Sequence, residues 1–226
     1  MNTSLSSLKE SVVAQTKTTG ILPCIKLHEN RDLLPYARAM YEGGARVIEV
    51  TMTTPGALDA IHRISREFAG ELYVAEGTVL DATTAREVIL HGGSLIVNPC
   101  VIPEVIDMAN RYGVPVYSGA FTATEVFQTM RAGATMIKVF PAQLGGPQYM
   151  TNLKMVFPQV DLIPSGGVHP ENAAEFIRCG ACAVSGARAF MDPGQIARYG
   201  MNWITAQVAR FISVITEARA TVTELP

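Results

Sequence analysis

Five stretches of the chain repeat one pattern: a mixed polar and apolar helical run, a glycine, one or two small residues, then a short apolar strand. They are Glu42-Gly43-Gly44-Ala45-Arg46-Val47-Ile48, His91-Gly92-Gly93-Ser94-Leu95-Ile96, Tyr112-Gly113-Val114-Pro115-Val116-Tyr117, Ala132-Gly133-Ala134-Thr135-Met136-Ile137 and Cys179-Gly180-Ala181-Cys182-Ala183-Val184. A glycine closing each helix reads as a left-handed cap, because without a Cβ it accepts positive φ. The strands that follow lack polar alternation, which predicts burial on both faces and hence a parallel sheet.

Extending the pattern gives eight strands, near Ile21–Leu27, Val47–Thr51, Leu72–Glu76, Leu95–Val97, Val116–Ser118, Met136–Phe140, Asp161–Pro164 and Ala183–Ser185. Between them, apolar spacings of three and four, as in Leu33-Leu34-Ala37-Met40-Tyr41, predict helices. Pro103-Glu104 and Pro170-Glu171-Asn172 are helix openings. Eight alternating units predict an α/β chain folded as a single-domain (β/α)8 TIM barrel over residues 1–226, slightly below the usual size. A helix-like stretch, Leu8 to Gln15, lies in an N-terminal extension of about residues 1–19 and is expected to cover the barrel bottom. Gln195–Arg219 reads as one long amphipathic final helix. The rival open doubly wound sheet needs a glycine-rich loop after the first strand. His28-Glu29-Asn30-Arg31-Asp32 has no glycine at all.

Composition narrows the function classes. Of 226 residues, 48% are hydrophobic and 17% charged, with net charge −2, which indicates a large core and argues against disorder. No basic stripe offers a nucleic-acid footprint, and no apolar run reaches the length of a membrane span. Met1–Glu10 lacks the apolar core of a secretory signal. The expectation is a cytoplasmic protein with neither nucleic acid nor membrane as partner. Cys179-Gly180-Ala181-Cys182 has the spacing of a metal or redox pair but no second pair, so free thiols and no metal are expected.

Two residues break the apolar pattern. Lys138 lies inside Met136-Ile137-Lys138-Val139-Phe140-Pro141, which reads as a buried strand. An ammonium there loses its hydration, at a cost unless it is paired or gives up its proton. A neutral amine in an apolar slot is the nucleophile for Schiff-base chemistry on a carbonyl; the alternative is a lysine that snorkels to water. Glu49, inside Val47-Ile48-Glu49-Val50-Thr51, is equally anomalous unless it pairs with an arginine on a neighbouring helix.

In such barrels the chemistry sits at the carboxyl ends of the strands. Those ends carry Lys26, Thr78, Pro99, Pro164-Ser165-Gly166-Gly167 and Ser185-Gly186-Ala187-Arg188. Glycines beside a serine before a helix either serve simple turn chemistry or expose N–H groups that cradle an anion, and the latter reading is favoured here. A buried lysine, a buried carboxylate and an anion cradle on one rim point to a carbonyl–amine lyase. Two other readings stand beside it: a phosphosugar isomerase or epimerase with Glu49 and Glu76 as its bases, and a non-catalytic effector-binding barrel in which Lys138 is a structural ion-pair partner.

At these residues the chain resembles the class I 2-keto-3-deoxy-6-phosphogluconate/4-hydroxy-2-oxoglutarate (KDPG/KHG) aldolase family. The matching stretches are Gly43 to Gly56, Gly77-Thr78-Val79-Leu80, Ile137 to Ala142, Gly145 to Tyr149 and Pro164 to Val168, within about residues 20 to 190. The resemblance implies a homotrimeric (β/α)8 barrel without metal or cofactor, cleaving a 2-keto acid substrate. It implies Lys138 as the Schiff-base lysine and Glu49 as the general acid/base. Thr78, Pro99 and Phe140 would line the pyruvate pocket, and Ser165, Gly166, Gly167, Ser185 and Gly186 would hold a distal phosphate. Many members carry arginine where Lys26 stands, and some carry one at Thr53, both handling substrate anions. The family's Gly-Ala-Gly-Thr is here Ala75-Glu76-Gly77-Thr78, which puts a second carboxylate near the mouth. The usual Gly-Ser pair is here Gly186-Ala187-Arg188, losing a hydroxyl and gaining a cation, which either compensates at the phosphate or makes a helix-side ion pair.

Overall fold

The structure, a computed structural model, describes residues 5–221, with side chains from residue 8 onward. Eight parallel strands, β1 (Ile21–Ile25), β2 (Val47–Thr51), β3 (Tyr73–Gly77), β4 (Leu95–Val97), β5 (Val116–Ala120), β6 (Met136–Val139), β7 (Leu162–Pro164) and β8 (Val184–Gly186), pair in the order β7-β6-β5-β4-β3-β2-β1-β8. Single bridges, Leu162 to Ala181 and Ser165 to Ser185, bring β7 against β8 and nearly close the barrel. The helices are α1 (Leu5–Thr19), α2 (Leu34–Glu42), α3 (Ala57–Phe68), α4 (Ala82–Leu90), α5 (Pro103–Arg111), α6 (Ala123–Arg131), α7 (Gly146–Val156), α8 (Pro170–Arg178), α9 (Pro193–Tyr199) and α10 (Met201–Ala220). This is the expected (β/α)8 barrel, with strand ends displaced by one or two residues from their sequence positions. The glycines of the repeat, Gly44, Gly92, Gly113, Gly133 and Gly180, all take positive φ.

The final helix differs from expectation. It is two helices, α9 and α10, divided at Gly200, whose φ of 67° and ψ of −160° are open to glycine alone. The apolar spacing of three and four continues across this break, so periodicity does not reveal it.

Two apolar layers hold the barrel. Leu22, Val47, Ala75, Leu95, Val97, Tyr117, Met136, Ile163 and Ala183 fill its interior and are joined from below by Val12 of α1. The Thr16 hydroxyl lies 2.9 Å from the Tyr117 hydroxyl, so α1 covers the barrel bottom as anticipated. The outer layer packs the alternate strand positions, among them Ile25, Ile48, Val50, Val74 and Ile96, against Ile61, Val88, Ile106, Phe176 and Phe211 of the helices. The bottom half of the lumen is thus a solid plug, and only the carboxyl ends of the strands are left for polar side chains.

Glu76 belongs to neither arrangement. It is fully buried in register with Val50 and Ile96, both of the outer layer, so it points between sheet and helices rather than into the lumen. This corrects the sequence reading of a second carboxylate at the mouth: alternation turns Ala75 and Gly77 inward and Glu76 outward. Neither of its oxygens has a hydrogen-bond partner. Burial, reinforced by the charge of Glu49, pushes its carboxyl up to about 10, so it is held neutral at pH 7. In the unfolded chain the same group ionises in the ordinary carboxylate range. Between that range and pH 10 the folded state therefore holds one proton more, and stability falls as pH rises. Against Glu76→Gln, which does not titrate, the wild type should lose stability from about pH 5 to pH 9 with a slope of up to about 1.4 kcal/mol per pH unit. Parallel denaturant melts of the two proteins across that range measure it, and parallel pH profiles would refute the neutral carboxyl.

Candidate active site

β2 and β6 stand four strands apart in an eight-strand ring, diametrically opposite each other. Glu49 and Lys138 leave them toward the axis and meet above the apolar plug, with Lys138 Nζ 3.5 Å from Glu49 Oε1. Glu49 is 2% exposed and Lys138 8%. Neither a helix-borne arginine nor the solvent takes up these charges; they face each other. The separation exceeds the roughly 2.8 Å of a tight charged hydrogen bond. Glu49 Oε2 has no partner among the described residues. The pair is therefore close enough to exchange a proton through a bound molecule, yet neither group is consumed by the other.

Small neighbours make this meeting sterically feasible. A Cβ added at Gly77 would stand 1.9 Å from Glu49 Oε1 and 2.6 Å from its Cδ. One added at Gly119, in register with Lys138, would lie 2.0 Å from the Pro99 carbonyl carbon. The Asn98 side chain holds that corner, accepting hydrogen bonds from the Ser118 hydroxyl (2.8 Å) and the Gly119 N–H (3.0 Å) through its Oδ1.

Around the pair opens a cavity of about 520 Å³, within the range of small-molecule sites. Its walls carry twelve of the thirteen residues singled out from sequence: Lys138 and Glu49 at the floor, then Lys26, Thr78, Pro99, Phe140, Ser165, Gly166, Gly167, Ser185, Gly186 and Arg188. Thr53 is the exception. It is exposed and off the wall, its hydroxyl 3.0 Å from that of Thr51, which does face the cavity. Thr78 has φ 62°, a left-handed conformation that a β-branched residue adopts only under strain of about 1–3 kcal/mol. The Phe140 ring lies 5.9 Å from Lys138 Nζ and forms an apolar shoulder beside the amine.

On the far wall Gly166 and Gly167 have φ of 90° and 70°, and neither gives its N–H to another described residue. Asn172 Nδ2 donates to the Gly167 carbonyl (3.0 Å) while its Oδ1 accepts from the His169 N–H (2.9 Å), fixing the loop. Ser185, 1% exposed, has an unpartnered hydroxyl on the same wall. Two exposed cations, Lys26 and Arg188, stand at the rim.

Sequence reasoning missed Cys24, Thr51, Val168 and His169, which also line the cavity. Cys24 was findable: alternation along β1 puts it on the face of Lys26, and it lies in register with Glu49. Its thiol is pushed well above its ordinary value, first by burial and then by the charge of Glu49, so it behaves as a neutral wall.

A barrel with an amine and a carboxylate at its floor and an anion cradle on its wall has the make-up of a carbon–carbon lyase. The family follows from comparison. The profile of the KDPG and KHG aldolases matches residues 12–207, and the chain belongs to that family. It is 33% identical over 200 residues to the 2-dehydro-3-deoxy-phosphogluconate aldolase of Treponema pallidum (strain Nichols), covering 86% of this chain and 93% of that one. It is 35% identical over 188 residues to the 2-dehydro-3-deoxy-6-phosphogalactonate aldolase of Escherichia coli (strain K12), covering 83% and 90%. The native KDPGal structure superposes with a TM-score of 0.83 at 29% identity, over 88% of this chain and 96% of that one. The KDPG aldolase of Legionella pneumophila, with pyruvate captured as a covalent carbinolamine, superposes with 0.79 at 25% identity, over 92% and 98%.

The steric argument at Gly77 is testable. Gly77→Ala forces the Glu49 carboxylate from its place while the backbone conformation stays accessible to alanine. We expect kcat to fall about 10²-fold or more, the scale of a lost general acid/base, with circular dichroism unchanged. Activity within a few-fold of wild type would show that Glu49 need not sit there.

Proposed function

We propose that the protein is a class I aldolase that cleaves a 2-keto-3-deoxy-6-phospho-sugar acid, of gluconate or galactonate type, into pyruvate and glyceraldehyde 3-phosphate through a Schiff base on Lys138. Cleavage of 4-hydroxy-2-oxoglutarate to pyruvate and glyoxylate is the same chemistry on a shorter substrate. The observation that carries the reading is the buried approach of Lys138 Nζ to Glu49 Oε1 at the cavity floor. The Legionella relative holds pyruvate as a covalent carbinolamine in the same fold.

The steps use this chain's own groups. The Lys138 amine, with its proton passed to Glu49, adds to the C2 ketone; Glu49 returns that proton to the C2 oxygen to give the carbinolamine, then relays a second from nitrogen to the hydroxyl, which leaves as water. The protonated imine is the electron sink. Glu49 then takes the proton of the C4 hydroxyl, the C3–C4 bond breaks, and its electron pair enters the imine to give an enamine. The aldehyde departs, C3 is protonated, and hydrolysis of the imine frees pyruvate and restores the amine. Thr78, Pro99 and Phe140 enclose the pyruvate end. Gly166, Gly167, Ser185 and Gly186 meet the distal phosphate, with Arg188 supplying charge where Ala187 lacks a hydroxyl. Lys26 is a point charge and binds an anion without the two-pronged fit of arginine.

The isomerase alternative needs two carboxylates in the cavity, and Glu76 faces the helices instead. An effector-binding barrel, in which the Lys138–Glu49 pair is structural, predicts ligand binding without turnover of any keto acid.

For assembly we propose a cytoplasmic homotrimer. Exposed Leu144, Met155 and Val156, 74%, 77% and 64% accessible, supply apolar surface for subunit contact. Among the described residues no helix is long and apolar enough to cross a membrane, and all four cysteines are free. Light scattering should return three times the chain mass; a monomer at micromolar concentration would refute the trimer.

Borohydride added with pyruvate should fix one pyruvate on Lys138, read by peptide mass. An unmodified Lys138 sinks the mechanism. Lys138→Ala should abolish turnover, and Glu49→Gln should slow imine formation while leaving pyruvate binding. A panel of 2-keto-3-deoxy acids with and without the terminal phosphate then assigns the distal group.

A further inference from the structure

The cavity wall formed by His169, Arg188 and Ala189 is shared. On its other side lies a second, more polar cavity of about 370 Å³, roofed by the starts of α8 and α9 and by the side of α10. Its fittings differ from those of the first. Arg210 is neutralised by Glu171 at 2.7 Å, and His169 Nδ1 lies 2.9 Å from the same carboxylate, so one wall is a closed ion-pair network. Arg188 has no ion-pair partner among the described residues and stands at the junction of the two cavities. Trp203, the chain's one tryptophan, offers a partly exposed indole, and Gln195 and Gln207 offer amides. Only the Gln207 Nε2 is engaged, at 3.2 Å from the Ala189 carbonyl. Asp192 also lines this cavity, its Oδ1 accepting from the Gln195 N–H at 2.9 Å. An indole face, the free Gln195 amide, a carboxylate that accepts from hydroxyls and the Arg188 guanidinium suit a hydroxylated chain whose anion is held at Arg188, rather than a compact phosphate alone.

Resting on the aldolase reading, we propose that this second chamber extends the active site past the glycine cradle. It takes the distal hydroxyls and terminal phosphate of 2-keto-3-deoxy acids longer than six carbons. Arg188 then serves two lengths of substrate: it flanks the phosphate of a six-carbon acid, and a longer chain runs past it over the shared rim toward Trp203 and Gln195.

The synthetic direction tests this, since pyruvate is one partner throughout and only the aldehyde changes. The enamine carbon of Lys138-bound pyruvate attacks the aldehyde, the C3–C4 bond forms, the new alkoxide takes its proton from Glu49, and water releases the longer keto acid. The aldehydes are glyceraldehyde 3-phosphate, erythrose 4-phosphate and ribose 5-phosphate, of three, four and five carbons. Gln195→Trp fills the chamber from an exposed helical position, and Trp203→Ala removes the indole. Wild type should condense all three. Each variant should lower kcat/KM for the five-carbon aldehyde by about tenfold or more and leave the three-carbon aldehyde within about twofold. Turnover of the three-carbon aldehyde alone, or equal losses on all three, overturns the chamber and leaves the aldolase intact. No condensation with any aldehyde, and no borohydride-trapped pyruvate, overturns both.

Discussion

One contact organises this molecule: an amine and a carboxylate, from opposite strands, brought together on the barrel axis out of reach of bulk water. Each alone would be a costly buried charge, and removing either partner of such a pair typically costs about 3–5 kcal/mol. Together they are tolerable, and the remainder of the lumen is shaped around them. Below, nine apolar strand residues and Val12 exclude water from the floor. Above, the cavity is wide enough for substrate to enter between the strand ends. The apolar plug thus does more than stabilise the barrel, since it sets the height at which Lys138 and Glu49 meet and the low polarity in which they work.

The same contact explains where the chain is glycine. Gly77 and Gly119 sit beside Glu49 and Lys138, and a methyl group at either would strike Glu49 or the Pro99 peptide. Lys138 and Glu49 are held not by many hydrogen bonds but by walls that leave them one direction. Thr78 adds a strained backbone to that wall. Stability is surrendered around the mouth, at Thr78 and at the unpartnered groups of Glu49 and Ser185, and recovered in the plug and in the helix layer. This division is usual for a site pre-shaped for its ligand.

How much of this the sequence disclosed depended on period. Eight strand-helix units were legible because the helix, glycine, small residue, strand repeat survives in five of them, and a parallel barrel follows from apolar runs without alternation. Lys138 and Glu49 were legible because charge inside an apolar strand has few explanations. The break at Gly200 was hidden, because a single glycine interrupts α9 and α10 without disturbing apolar spacing. Glu76 was misread for a subtler reason. A strand buried on both faces gives no polar alternation to say which residue faces the lumen, and only the register Glu49 to Ala75 settles it. Thr53 was named through the resemblance, since some members carry arginine there, but the turn after β2 leaves it outside the wall.

The register has one more consequence. β7, β8 and β1 are neighbours in the ring, so the free N–H groups of Gly166 and Gly167, the Ser185 hydroxyl, Arg188 and Lys26 lie on a single arc of the rim. β3 and β4 face that arc with Thr78 and Pro99, which carry no charge. The charged and hydrogen-bonding groups of the mouth are therefore gathered on one side, and on the proposed aldolase reading this asymmetry, rather than any single contact, would orient a substrate that bears its ketone near one end and its phosphate at the other. With a phosphate drawn to the β7–β8–β1 arc, the ketone would lie over the amine, and the bond to be broken would fall between them. Arg188, next to Ala187, adds a cation to the outer edge of that arc. On the proposal of an extended site, that outlying cation is what would let the rim take longer distal chains than the glycine cradle alone would hold.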